Sequence, residues 1–227
     1  MKFFMMFLLV LLSINSFAID YKSQTELGLM VTGGNHSSIA FHEKGEYDIT
    51  IANFNKIGFN NLFIFNKEEN QHFLSELSSS INYAPLFSQI LYPEIAYEFY
   101  KNEYKKINFR HKGIVGITFN SFIELGAYYT YEYEKKFNYN TQINHLIYLN
   151  MDIKYMYFDK LMLNLNGKFY KILNYTGWRL KMAPSLSFKV FSKVDFKLSF
   201  IYNYESAVVN AIKKYDYRLL HSVVVTL

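Results

Sequence analysis

Polar and apolar residues alternate with a period of two over most of this chain. Near the C-terminus, Tyr215, Tyr217, Leu219, Val223, Val225 and Leu227 share one parity, and Asp216, Arg218, Ser222 and Thr226 share the other. In a strand successive side chains point to opposite faces, so each set lines one face of a sheet. One segment earlier, Phe196, Leu198, Phe200, Tyr202 and Tyr204 alternate with Lys197, Ser199, Asn203 and Glu205. Upstream, Leu180, Met182, Leu186 and Phe188 oppose Arg179, Lys181, Ser185 and Lys189. Leu149, Met151 and Ile153 oppose Asn150, Asp152 and Lys154. Leu125, Ala127, Tyr129, Tyr131 and Tyr133 oppose Glu124, Thr130 and Glu132.

The alternation predicts twelve strands, over residues 24–33, 38–51, 55–66, 71–84, 87–101, 105–119, 122–135, 141–157, 160–173, 175–191, 194–206 and 214–227. A slip of one hairpin would give ten. The first three segments carry the pattern least clearly. The second has Glu43, Lys44, Gly45 and Glu46 at its middle, and in the third neither parity stands out as apolar. Asn120-Ser121, Asp159-Lys160 and Ser192-Lys193 read as minimal turns, and the links at Asn53–Asn55 and Pro85 as nearly as short. The links between them are longer and polar. Short turns at one end and longer loops at the other is the layout of an outer-membrane barrel. An even strand number puts both termini at the short-turn, periplasmic end.

These features predict an all-β, antiparallel transmembrane β-barrel. The competing fold is a soluble β-sandwich or a lipocalin-like barrel. Most segments run to twice the roughly 5–6 residues common in soluble strands, whereas a tilted membrane strand needs about 9–11. The apolar faces are also rich in aromatics toward segment ends, as in interfacial girdles.

The first eighteen residues stand apart. Lys2 precedes an unbroken apolar run from Phe3 to Leu12, and Ser16-Phe17-Ala18 places small residues before a cut after Ala18. This order reads as a secretory signal peptide, leaving residues 19–227 as the barrel domain. The run is too short for a spanning helix.

Composition adds constraints. Among 227 residues there are 21 Tyr and 22 Phe but only 10 Gly, 3 Pro and no Cys. The missing cysteine excludes thiol catalysis, cysteine-based zinc sites and a lipoprotein anchor. The net charge of +5 is spread along the chain without a dense basic block, which argues against nucleic-acid binding.

Short motifs carry a family resemblance. Glu26-Leu27-Gly28, then Gly34-Asn35 and Ser37-Ser38, resemble the opening strand and turn of the YdiY-like outer-membrane proteins. This is a domain-of-unknown-function family, sometimes called salt-stress-induced outer-membrane proteins. Lys213-Lys214-Tyr215-Asp216 and the alternating run to the terminus resemble its closing strand. Gly113, Gly116 and Glu124-Leu125-Gly126-Ala127-Tyr128 echo its middle strands. The family tends to end in an aromatic residue, whereas this chain ends in Leu227. The resemblance implies an outer-membrane barrel and no known reaction.

Candidate chemistry is sparse. His36, His42, His72, His111, His145 and His221 form no HxH or HExxH pattern, so no metal or cofactor is expected. A barrel hydrolase needs a nucleophile beside a base. His221 and Ser222 point to opposite faces, and neither His111 nor His145 is followed by a His-x-Ser-Asn-Gly-like stretch. Gly33-Gly34-Asn35 lacks the Lys-Ser/Thr of a phosphate loop. No catalytic residue is therefore expected.

The lumen is where charge gathers. With the polar parity inward, the basic set is Arg110, Lys112, Lys154, Lys168, Arg179, Lys181, Lys189, Lys197 and Arg218. The acidic set is Glu76, Glu94, Glu98, Glu124, Glu132, Asp152, Glu205 and Asp216. Near balance predicts side chains that pair with one another and narrow the lumen, rather than one sign at a selective constriction. The expected role is structural or stress-related in the envelope, with a narrow channel for ions or small solutes as the alternative. The expected surroundings are outer-membrane lipid and lipopolysaccharide, with barrel-assembly machinery acting during insertion of a monomer.

Overall fold

Long alternating segments with short links leave each strand only its chain neighbours to pair with, and the two end strands must then find each other. A computed structural model of the chain shows that arrangement. It describes residues 19–33, 38–51, 55–68, 71–86, 88, 90–103, 105–137, 141–158, 160–174, 176–206 and 214–227. The segment expected to be a signal peptide and the turn expected at Gly34-Asn35 lie outside the described residues. The strands are β1 (Ile19–Gly33), β2 (Ser38–Ile51), β3 (Asn55–Glu68), β4 (Gln71–Pro85), β5 (Leu91–Asn102), β6 (Ile107–Asn120), β7 (Ile123–Lys136), β8 (Gln142–Tyr157), β9 (Leu161–Ile172), β10 (Gly177–Phe191), β11 (Val194–Glu205) and β12 (Tyr215–Thr226). They form one closed, antiparallel, twelve-stranded barrel in chain order. β12 returns to β1 in a register running from Gln24 opposite Thr226 to Gly33 opposite Tyr217. Ser23 and Leu227 exchange backbone hydrogen bonds of 3.3 and 2.9 Å, so both ends of the barrel chain meet at one rim.

Three details differ from the sequence reading. The first strand begins at Ile19 rather than at 24. The turn after Pro85 is longer than expected, because β5 starts at Leu91 rather than at 87. The Ser88 hydroxyl accepts hydrogen bonds from the backbone N–H of Ile90 and Leu91, holding a turn where an extended strand was expected. The contrast in link length is also weaker. Links at the rim that carries the termini span two to five residues, and those at the other rim span two to nine.

The two faces are inverted relative to a soluble barrel. Leu29, Ile117, Leu149 and Val223 face outward and are about half exposed, whereas Glu132 and Leu146 on the inner face are fully buried. Soluble proteins bury apolar side chains and solvate charges. Here the charges are enclosed and the belt outside is apolar, which is stable only against hydrocarbon. Trp178, Tyr215 and Tyr217 lie on the outer face toward one rim, and Tyr83, Tyr155 and Phe188 toward the other. Glu43 is an exception. It sits midway along β2 on the outer face, opposite Leu27 and Phe63.

Candidate functional site

The inner wall is built around a row of tyrosines. Tyr128, Tyr148 and Tyr170 are register partners on β7, β8 and β9. Their rings stack at 4.5 and 4.9 Å between centroids. Tyr128 lies flat because its neighbours are glycines. A Cβ on Gly126 would stand 2.2 Å from its ring, and one on Gly116 2.3 Å. The Tyr128 hydroxyl then reaches Glu94, donating to it at 2.9 Å, while Thr118 bonds to the same carboxylate at 3.2 Å.

Above that row the charges pair across strands. Glu132 accepts two hydrogen bonds from Arg179, at 2.9 and 2.7 Å, and one from Asn144 at 2.7 Å. Arg110 pairs with Glu134, which also holds Lys136 at 3.2 Å. Arg179 bonds Glu205 through Nε at 3.0 Å. Buried charges are tolerable only when paired in this way.

Two pairs span the lumen itself. Arg218 on β12 makes a bidentate contact with Glu76 on β4, at 3.0 and 2.5 Å, four strands away around the ring. Lys105, in the β5–β6 link, reaches Asp216 on β12 at 2.9 Å. Five strand-to-strand steps separate β5 from β12, so this contact joins nearly opposite walls.

The remaining expected residues also lie on the inner face. Lys112 pairs with Glu98 at 2.9 Å. Asp152 and Lys154 pair at 3.4 Å near the terminal rim, where Glu124 also lies. Lys197 pairs with Glu26 at 2.8 Å. Lys168 and Lys181 make no ion pair among the described residues. Lys168 stands over the Tyr148 ring at 5.8 Å.

Several participants were not singled out from sequence: Glu26, His42, Lys105, Glu134 and Lys136. Glu26 accepts from Ser222 at 2.7 Å and contacts His42 at 3.3 Å. The serine hydroxyl is bonded to the carboxylate rather than to the imidazole, so this trio lacks a nucleophile–base contact. On the outer face, His111 and His145 each bond a tyrosine hydroxyl, from Tyr97 and Tyr129, at 2.5 Å. No cluster of three or more metal-binding side chains occurs among the described residues.

The near balance of charge hides a separation along the axis. A cavity of about 250 Å³ toward the rim of the longer links is lined by nine cationic side chains against four carboxylates, Glu76, Glu98, Glu205 and Asp216. Glu94, Glu124, Asp152, Asp48 and Glu46 lie toward or below the middle of the barrel, nearer the terminal rim. That half of the lumen is therefore the more cationic, while toward the terminal rim Lys44, Lys56, Lys154 and Lys197 are each paired with a carboxylate.

A family model described as "Protein of unknown function, DUF481" matches residues 95–227. No curated protein matches the chain by sequence. Among solved structures, the NanC porin superposes with a TM-score of 0.60 at 11% identity, over 88% of this chain and 98% of that one. The KdgM porin does so at 0.52 and 10% identity, over 89% and 98%. The KdgM porin in complex with disordered oligogalacturonate gives 0.50 at 9%, with the same coverage. At such identities the likeness is one of fold.

Proposed function

We propose, from the premise that this chain belongs to the family described as "Protein of unknown function, DUF481", that it is an outer-membrane barrel of the YdiY-like kind. In this reading the signal peptide directs residues 19–227 out of the cytoplasm. The apolar belt meets membrane lipid and lipopolysaccharide after the assembly machinery inserts a monomer. The role is structural or stress-related and non-catalytic, with a lumen largely closed by its own charges. The observation that carries it is the pair of ion-pair spans, Arg218–Glu76 and Lys105–Asp216, which draw separate walls of the barrel together. Twelve strands lie between the filled barrel of about 8 strands and the open porin of about 16–18, so side chains of this length can block the bore.

A second reading is a narrow channel for small solutes. The cation-lined cavity, whose wall includes the spanning pairs, favours it. Planar-bilayer recording separates the two. The closed reading expects no stable current steps from the natural protein, and steps from a Lys105→Gln, Arg218→Gln double variant. Stable steps from the natural protein that shift when Arg110 or Arg218 is neutralised would overturn it in favour of the channel.

A further inference from the structure

The cavity contains a charge pattern that structural pairing does not account for. Lys168 on β9 and Lys181 on β10 are direct register partners, both on the inner face. Like charges directly opposite on adjacent strands repel and destabilise the pair. Neither lysine has a carboxylate partner among the described residues. Glu98, which lines the same cavity, is already held by Lys112. Arg110 and Arg179 are taken up by Glu132, Glu134 and Glu205, and Arg218 by Glu76. Lys181 is nevertheless exposed, because it projects into open space inside the barrel.

We propose that Lys168 and Lys181 form the anion subsite of a binding site for a small organic carboxylate within the lumen. The carboxylate lies between the two ammonium groups and relieves their repulsion. Lys112 adds a third positive charge at the site's edge. The Tyr170 and Tyr100 rings, over which the Lys112 ammonium and the Arg110 guanidinium stand at 5.4 and 5.5 Å, line the same cavity and bound the space for the body of the solute. The volume of about 250 Å³ suits a molecule the size of one sugar acid. Lysines act as point charges rather than forks, so the site selects for charge and size more than for carboxylate orientation.

This inference rests on the reading of the chain as a barrel whose cavity a solute can enter from one rim, whether or not the lumen conducts. The test is isothermal titration of the protein folded in detergent micelles, with glucuronate as the probe and glucose as its uncharged counterpart. One glucuronate site and no glucose site are expected. Lys168→Gln and Lys181→Gln should each weaken glucuronate binding about tenfold, the loss of one charged contact, whereas Lys154→Gln at the far rim should not. Both cavity variants should fold, shown by heat-modifiable gel migration, and both should raise the melting temperature without ligand because they remove a repulsion. Equal binding of glucose, or glucuronate binding indifferent to both lysines, overturns the site. Titration carries no current, so the two readings fail separately. Current without glucuronate binding overturns the site and leaves the channel. Binding without current keeps the site and removes the channel.

Discussion

At the residue scale the inner wall depends on what its glycines leave out. Tyr128 presses into the space over Gly116 and Gly126, and its hydroxyl ties β7 to Glu94 on β5. Gly126→Ala is expected to lower stability by about 1–3 kcal/mol, the usual cost of overpacking a fitted contact. The check is the denaturation midpoint of the protein folded in detergent micelles. An unchanged midpoint would mean that the ring does not lie over Gly126. The ion pairs are another residue-scale matter, and sequence reading reached only half of it. Period-two alternation places Arg218 and Glu76 inward, but nothing local joins residues 142 positions apart. Their contact exists only once β12 has closed on β1. Lys105 and Asp216 meet for the same reason, and Lys105 lies in a link, where alternation says nothing.

At the element scale, legibility follows the contrast between faces. β6 to β12 set charged or hydroxyl residues inward against apolar residues outward, and they stand out clearly in the sequence. β3 does not, because Leu62 and Ile64 point inward while Phe63 and Phe65 point outward. Ile64 belongs to a buried apolar cluster with Met30, Ala40 and Leu220, and Leu62 packs against it. That cluster replaces the polar lining over part of β1 to β3 and erases the alternation that elsewhere reports the face. Polar Asn61, opposite Gly45, blurs the outer parity further. The atypical middle of β2 resolves into two roles. Lys44 and Glu46 pair inside the lumen, and Glu43 faces out. A carboxylate on an outer face in lipid is unfavourable. Glu43→Leu is therefore expected to stabilise the barrel by up to about 1 kcal/mol, measured by urea unfolding in phospholipid vesicles. A loss of stability would show that Glu43 meets a polar partner rather than lipid.

At the scale of the whole molecule, the barrel combines an inverted surface with an interior more cationic in one half. Apolar residues cover the outside, aromatics gather toward both rims, and carboxylates such as Glu132 are buried inside with their cations. Part of the inward charge was readable from the sequence. Its separation along the axis was not, because depth in the barrel depends on strand register and closure rather than on parity. Strands of 12 to 16 residues, tilted as barrel strands are, match the apolar band of about 25 Å that such proteins present to a bilayer. The account therefore stands or falls on whether the chain is a closed barrel held in a membrane. Gel migration of protein extracted from outer-membrane fractions, with and without boiling, tests this most directly. The account predicts that the protein pellets with the membrane, runs as a compact band unheated and shifts on boiling to the full mass of residues 19–227, below the 26.9 kDa of the whole chain. A chain released in soluble form by osmotic shock, with the same mobility before and after heating, would contradict it.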